Sequence, residues 1–253
     1  MKIVALFMPV LTTIITGCAL ATDDAAALSP ESSEQTNELS ETAIRGLPDS
    51  CFANTGGQLV RLDLATETIT ETPDRFDDGL LSSLGLTQNH VVACLFPTGV
   101  VDILDLATGV HTQVDMPCDS ATAIGDKIYV NANAQTLTEY ADLRALIAKT
   151  PLRTLPRLFA SRVGAGAGRL LAAWHSDDEI LALDLDTGVS TAIPLPGHGD
   201  DWIFGLFENA HVRLVAAGWV QTGLEVYDTA SGRLIRRLFD GTFLEGLACT
   251  TAR

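Results

Sequence analysis

The chain has 253 residues, of which 47% are hydrophobic, and its formal net charge is −16. So large an excess of acidic residues argues against binding to nucleic acids or anionic membrane surfaces, which both require basic surface. The length suffices for one globular domain with a sizeable core.

The N-terminus has the features of an export signal. Met1 and Lys2 precede an apolar run from residue 3 to residue 15, which is shorter than the roughly 20 residues of a membrane-spanning helix. The run ends in Ile15-Thr16-Gly17-Cys18, which resembles the lipobox of bacterial lipoproteins. An ordinary signal peptide that contains a cysteine is the alternative.

The lipobox resemblance implies that residues 1–17 are a signal peptide and that Cys18 is lipidated and becomes the mature N-terminus. In that family, an aspartate directly after the cysteine favours retention in the inner membrane. Ala19 stands there in this chain. The expected location is therefore the bacterial cell envelope, with the outer membrane favoured and the lipid as the only contact with the bilayer.

Residues 18–46 form a segment of different composition. It is rich in Ser, Thr, Glu and Ala and lacks aromatic residues. Such a segment cannot bury enough apolar surface to offset its ordering entropy. We expect a flexible tether, although a helix through residues 28–39 is the alternative.

Residues 47–253 are predicted to form the folded domain. They contain 26 acidic and 14 basic residues, a net charge of −12. Four cysteines permit three disulfide pairings, between which sequence does not choose, and none shows zinc-type spacing. They are Cys51, Cys94, Cys118 and Cys249.

One short sequence motif recurs along the domain. In each copy apolar residues alternate up to an Asp, a small or polar stretch with Thr or Ser follows, and alternation then resumes. This pattern predicts a β-hairpin. The copies are LVRLDLATETIT from Leu59, VDILDLATGVHTQV from Val101, ILALDLDTGVSTAI from Ile180 and LEVYDTASGRLIRRL from Leu224, with marker residues Asp63, Asp105, Asp184 and Asp228.

The spacing of the markers predicts a fifth, degenerate copy. The intervals are 42, 79 and 44 residues, so the middle interval holds two periods. The stretch LTEYADLRALIAKTPL, residues 137–152, fills the gap with Asp142 near the marker position. It has lost the turn glycine and gained helix formers. Strand repeats of roughly 40 residues are typical of β-propellers, with one four-stranded blade per repeat.

The ends of the domain predict how the ring closes. The first repeat, SCFANTGGQLVRLDL, lacks an innermost strand, and the last residues, GTFLEGLACTTAR, are an innermost strand with nothing after it. Pairing the two would remove the open sheet edges. The predicted fold class is therefore all-β, a propeller of about five four-stranded blades; an open set of repeats is the alternative.

The repeat resembles the degenerate units of quinoprotein-like, YVTN-type and WD-like propellers. The resemblance extends from about residue 48 to residue 253. It implies architecture and little about activity, because such propellers act as enzymes, assembly factors and recognition platforms. Propellers that use pyrroloquinoline quinone have about eight blades, so no quinone and no other cofactor is expected.

Acidic residues mark the predicted binding face. Four of five loops between blades place carboxylates just before an innermost strand: Asp77, Asp78, Asp119, Asp200, Asp201 and Asp240. They could bind Ca²⁺ or another divalent cation. Alternatively, each Asp orders its own turn, as Asp commonly does.

Blade four holds the densest polar grouping. Its two loops on that face contain His175, Asp177, Asp178 and Glu179, and His198, Asp200, Asp201 and Trp202. These side chains would suit a transition metal or acid/base chemistry, although solvated loop acids are the alternative.

Signatures of enzymes are missing from the sequence. It has no G-x-S-x-G, H-E-x-x-H or P-loop motif. We therefore expect a binding or scaffolding module, a monomer whose partner is another envelope protein. A propeller that binds or cleaves glycans through paired carboxylates is the alternative, although the chain is poor in aromatic residues.

The degenerate third blade offers a candidate surface for that partner. Five of the domain's fourteen basic residues fall within nineteen positions there. A local basic patch on an acidic body could dock a partner, although solvated arginines on a diverged repeat are the alternative. The residues are Arg144, Lys149, Arg153, Arg157 and Arg162.

Overall fold

The computed structural model describes residues 46–76, 80–96, 98–155, 160–174, 178–199, 201–218 and 222–250. Cys18 and the predicted tether up to residue 45 lie outside these ranges. The first strands in chain order are β1 (Cys51–Thr55), β2 (Gln58–Asp63), β3 (Thr68–Arg75), β4 (Leu80–Leu86), β5 (His90–Phe96), β6 (Val100–Asp105), β7 (Val110–Val114), β8 (Ser120–Ile124), β9 (Lys127–Ala132) and β10 (Thr136–Tyr140).

A short helix interrupts this all-β succession in the third repeat. The elements that follow are α1 (Leu143–Ile147), β11 (Arg153–Thr154), β12 (Arg162–Ala165), β13 (Arg169–Ala173), β14 (Glu179–Asp184), β15 (Ser190–Pro194), β16 (Trp202–Glu208), β17 (Val212–Gly218), β18 (Gly223–Asp228), β19 (Leu234–Leu238) and β20 (Glu245–Cys249). In the described part of the chain, no helix has the length and apolar character needed to cross a membrane.

Within the described ranges, the strands form five four-stranded antiparallel units, which we call blades 1 to 5. Blade 1 has the order β20-β1-β2-β3, so the last strand completes the first repeat as predicted. Blades 2 and 3 contain β4 to β7 and β8 to β11. Blades 4 and 5, β12 to β15 and β16 to β19, are joined by one parallel pair between Ala165 and Phe207.

The innermost strands form a closed ring. Each contacts the next, in the order β4, β8, β12, β16, β20 and back to β4. The hydrophobic core follows the same arrangement, because five clusters of buried side chains each lie between two neighbouring blades. The fold is therefore a closed β-propeller, held together by apolar packing between blades.

Glycines allow the inner strands to approach one another closely. A Cβ on Gly85 of β4 would lie 2.6 Å from the backbone of β8, and one on Gly205 of β16 would lie 2.7 Å from Leu247 of β20. Real Cβ atoms do not occupy such positions. These two residues have no room for a side chain, which explains glycine inside strands that otherwise favour larger residues.

The marker aspartates perform the same local task in every blade. In four of them Oδ1 accepts the N–H of the residue three positions later, as Asp105 does from Thr108 at 3.2 Å. Asp142 makes the same contact with Ala145 at 2.8 Å, but there it caps α1. The third repeat thus keeps its marker and replaces the hairpin turn with a helix.

Two disulfides settle the pairing that the sequence left open. Cys51 of β1 is bonded to Cys249 of β20, which are 198 residues apart, so this bond closes the ring covalently. Cys94 of β5 is bonded to Cys118, just before β8, and joins blades 2 and 3.

Candidate functional site

The two ends of the propeller carry different connections. Loops between blades and turns between second and third strands lie at one end, the junction face. Turns between first and second strands and between third and fourth strands lie at the other end, the turn face. Within blade 2 the two turns are joined there, because the Leu106 N–H donates to the Asn89 carbonyl at 2.9 Å.

Two predicted ligand residues on the junction face accept hydrogen bonds from backbone N–H groups. Asp119 is half-buried, and its carboxylate accepts the N–H of Ala134. Asp201 is 2% exposed, and its Oδ1 accepts the N–H of Trp202 at 3.2 Å. These contacts are of the kind with which Asp orders loops.

The remaining acidic predictions are dispersed. Asp178 and Asp240 are exposed. Across the described ranges, no group of three or more His, Cys, Asp or Glu side chains is placed to hold a metal ion. A bound divalent cation therefore stays a prediction. The other members of the predicted face, Asp77, Asp78, His175, Asp177 and Asp200, lie outside the described residues.

His198 is part of a buried hydrogen-bonded network. Its Nδ1 lies 2.7 Å from Glu225 Oε2, and its Nε2 lies 3.1 Å from the Asp201 carbonyl oxygen. Glu225 also accepts bonds from Tyr227 at 2.8 Å and from Arg237 at 2.9 Å. Both ring nitrogens of His198 are thus committed to oxygen atoms, so neither is available to a metal in this conformation.

The bonds to Glu225 set its protonation state. Burial alone would raise the pKa of this carboxyl, but hydrogen bonds from His198, Tyr227 and Arg237 outweigh burial and hold the pKa below its ordinary value. Burial next to the same carboxylate raises the pKa of the Tyr227 hydroxyl. The network therefore combines an ionised carboxylate with a neutral phenol.

A guanidinium stands near the axis at the junction face. Arg162 begins the innermost strand β12, is half-buried, and lies 5.7 Å from the ring centroid of Phe204. Burial lowers its pKa, while the carboxylates of Glu245 and Asp119 act in the opposite direction. Among the residues that the structure describes, its Nε and the nearby Ser161 hydroxyl, both buried, have no hydrogen-bond partner.

Aromatic side chains surround this position. Phe204 packs edge-on against Phe243 with centroids 4.9 Å apart, and Trp202 lies 6.1 Å from Phe204. Trp174 directly follows the neighbouring strand β13 and is 40% exposed. We call Trp174, Trp202, Phe204 and Phe243 the aromatic ledge. Aromatic residues with nearby polar groups can receive planar or ring-shaped ligands.

The basic residues of blade 3 do not lie together. Arg144 is on α1 at the turn face, whereas Arg162 is near the axis at the other end. The Lys149 amine donates to the Asp115 carbonyl of blade 2, and Arg153 pairs with Glu139. The described members therefore have separate partners in different places rather than forming one patch. Arg157 lies outside the described residues.

The turn face contains a groove that the sequence did not suggest. At the axis, a cavity of about 350 Å³ lies between Leu86, Ile124 and Ala165 of three blades. A second cavity of about 330 Å³ shares Thr87, Gln88 and Asp126 with the first. The two cavities therefore border one another.

The groove continues to the rim of the propeller. A third cavity, of about 460 Å³, shares His90, Leu143 and Arg144 with the second. Its outer walls are Val110 of β7, which is 58% exposed, and Ile147 of α1, which is 49% exposed. We call the three joined cavities the radial groove. Helix α1 forms one side of it.

Known proteins match the fold and not the sequence. No protein-family model and no curated protein matches this chain. A protein of unknown function from Bacteroides caccae superimposes with a TM-score of 0.52 at 11% identity, over 81% of this chain and 100% of its own. A chain of a nidogen/laminin complex gives a TM-score of 0.55 at 10% identity, over 81% and 99%. Such identities show the propeller fold alone.

Proposed function

We propose that this chain is a lipid-anchored β-propeller of the bacterial cell envelope that binds another envelope protein in the radial groove. The observation that carries the proposal is the groove itself. It consists of three adjoining cavities, from the axis to the rim, and ends between two exposed aliphatic side chains. The nidogen/laminin match is compatible with a protein-binding propeller.

Exposed apolar surface supports this use of the turn face. Val110 and Ile147 flank the outer cavity, and Leu152, which is 57% exposed, follows α1. An apolar patch with a polar surround is the composition of a protein interface. A patch beside an open groove gives a partner both area and a recess for side chains.

The entry of the chain into the propeller also favours the turn face. The Asn209 side chain, in a turn of blade 5 at this face, donates to the Gly46 carbonyl at 2.8 Å. A tether that begins at Cys18 would therefore reach the domain on the groove side. The expected partner is one that lies close to the anchoring membrane.

Site-directed photocrosslinking in the native envelope tests the binding function. A benzophenone amino acid is placed at Ile147 or Val110 of the full chain, and at Val189 as the control. Val189 is 60% exposed and follows Gly188, as Val110 follows Gly109, but it lines none of the three cavities of the groove. We expect one and the same protein to be crosslinked from both groove positions and not from Val189. Equal crosslinking from all three positions, or none, contradicts the proposal.

The anchor is tested separately. Incorporation of labelled palmitate is expected in the full chain and not in Cys18→Ser, which should also leave the membrane fraction. Cys94 and Cys118 are disulfide-bonded and serve as internal controls, since their replacement should leave labelling unchanged. Palmitate in the Cys18→Ser variant would contradict lipidation at that residue.

A second candidate function is glycan binding at the junction face. The aromatic ledge beside Arg162 favours it, because sugar rings stack on aromatic side chains and polar groups bind their hydroxyls. Binding to a glycan array, lost in Phe243→Ala and unchanged in Ile147→Ala, would support this function. Failure of the full chain to bind any glycan would exclude it for the glycans tested.

A further inference from the structure

We propose that the radial groove receives an extended peptide segment of the partner, with a basic side chain at Asp126 and an aliphatic side chain between Val110 and Ile147. This inference rests on the proposed function and adds the chemistry of the partner. It follows from the charges along the groove, their existing bonds and the shape of the three cavities.

The charges along the groove are mainly negative. Its walls contain the carboxylates of Asp105, Asp126 and Asp142 against the guanidinium of Arg144. His90 adds at most one positive charge and already lies 3.8 Å from Asp105. A cationic segment is therefore attracted to the groove, and an acidic one is repelled.

Asp126 is the carboxylate that remains available. Asp105 accepts the N–H groups of Ala107 and Thr108, which hold its pKa below the ordinary value and occupy one of its oxygens. Asp142 caps α1 through Ala145. Asp126 is exposed, and no bond to its carboxylate is found among the described residues.

Asp126 also lies at the border between the axial cavity and the middle cavity. It lines both the axial cavity and the middle cavity, so a basic group there would be reached from either. Towards the rim the lining becomes apolar, with Ile103, Val110 and Ile147. Val110 and Thr112 lie on the same side of β7. One end of the groove therefore suits a cation and the other an aliphatic side chain.

The shape of the groove favours an elongated occupant. Each cavity has the volume of a small-ligand site, between about 330 and 460 Å³, and the middle cavity shares lining residues with the axial cavity on one side and with the rim cavity on the other. A compact ligand would fill one cavity and leave the other two open. An extended chain occupies them in succession.

Charge excludes the two occupants that this chain could supply. The tether, residues 18–46, has six acidic residues and one basic residue, Arg45. A second copy would present a domain with a net charge of −12. Both would be repelled by the carboxylates of the groove, whereas a basic segment of another protein would be attracted.

Selection from a random linear-peptide phage library tests the inference on the full chain in detergent. We expect the selected peptides to be enriched in Lys or Arg together with aliphatic residues. Synthetic copies should bind Asp126→Lys about tenfold more weakly, and added salt should weaken binding to the unchanged protein. Glu71→Lys, at an exposed site of β3 outside the groove, makes the same change of net charge and should have no such effect.

Paired variants test the apolar end. Val110→Glu should weaken binding of the same peptides about tenfold, and Val189→Glu should leave their binding unchanged. Thermal unfolding verifies that each variant is folded. If no peptide is selected, if the selected peptides lack basic residues, or if Asp126→Lys and Glu71→Lys behave alike, the inference is wrong. Crosslinking of one protein from Ile147 and Val110 but not from Val189 would still support the binding function in those cases, and equal crosslinking from all three positions, or none, would overturn that function.

Discussion

Nδ1 of His198 lies 2.7 Å from Glu225 Oε2, and neither side chain is more than 1% exposed. The pair links the loop that leaves blade 4 to the third strand of blade 5. Arg237 bonds both the Glu225 carboxylate and the Gly197 carbonyl, which precedes the histidine. Two bonds therefore connect the blades at this junction, His198 to Glu225 and Arg237 to the Gly197 carbonyl.

Removing that charge should destabilise the propeller. Glu225→Gln leaves Arg237 without its anion and removes the carboxylate to which His198 and Tyr227 are bonded, and removing one member of a buried ion pair typically costs about 3 kcal/mol. Urea unfolding at neutral pH measures the loss. Glu67→Gln is the control, because Glu67 and Arg236 form an exposed pair, which contributes at most about 1 kcal/mol. Equal effects of the two variants would contradict the role given to Glu225.

The pKa of Glu225 gives this contribution a pH dependence. Because hydrogen bonding lowers the folded-state pKa below the ordinary value of 4.5, the stabilisation is fully present above that value. It is lost as the pH falls through the folded pKa. The difference in unfolding free energy between the unchanged protein and Glu225→Gln should therefore be constant above about pH 6 and shrink below pH 4.5. If the difference in unfolding free energy grew on acidification, the pKa of Glu225 would be raised by folding and not lowered.

Asp102 should behave in the opposite way. Burial raises the pKa of this carboxyl, and the bond to His111 offsets burial only in part. A raised pKa means that stability is present below the ordinary value of 3.8 and is lost as the pH rises through the folded pKa. The unchanged protein therefore carries a destabilising charged carboxylate at neutral pH. Asp102→Asn removes that charge and should increase stability at neutral pH. Thermal unfolding at pH 3 and pH 7 compares the two, and a gain confined to pH 3 would contradict the expectation.

The two disulfides should contribute unequally. Chain entropy predicts about 5 kcal/mol for closing the 198-residue separation of Cys51 and Cys249 and about 3.5 kcal/mol for the 24-residue separation of Cys94 and Cys118. Replacing the first pair by serine should therefore lower the unfolding free energy more than replacing the second. Urea titration of both double variants measures the difference, and a reversed order would argue against ring closure as the source of stabilisation.

Close packing of the inner strands predicts intolerance at Gly85. Gly85→Ala forces a methyl group against the backbone of β8 and should cost about 1 to 3 kcal/mol. Gly168→Ala is the control, because no atom lies within 4 Å there and only its φ of +73° opposes the change. Urea unfolding should show a larger loss of unfolding free energy for Gly85→Ala. Equal losses for the two variants would mean that the inner strands move apart to accommodate the methyl group.

Local patterns were sufficient to predict the blades. The spacing of the marker aspartates located the hairpins, because each marker bonds to N–H groups only two or three residues away. The missing inner strand of the first repeat predicted the pairing of β20 with β1. Asp142 marked the degenerate copy, although helix formers had replaced its turn.

Contacts between distant segments were beyond the reach of those patterns. The radial groove combines turns of blades 2 and 3 with α1 and residues of blades 1 and 4, and no single stretch records it. His198 and Asp178 come from two loops of blade 4 that were expected to approach each other, but His198 turns to Glu225 of the next blade. Arg144 and Arg162 belong to the same basic stretch of sequence but lie at opposite ends of the propeller, because Arg144 is on α1 of blade 3 and Arg162 begins β12 of blade 4.

The pairing of β20 with β1 determines when folding can finish. Blade 1 has only three strands until residues 245–249 arrive, so its inner edge stays open while every other blade can already pair its own strands. The step that joins the two ends brings together residues almost 200 positions apart, and such non-local contacts form slowly. Any truncation that removes β20 would leave blade 1 with a permanently exposed edge and favour aggregation over a smaller but intact domain.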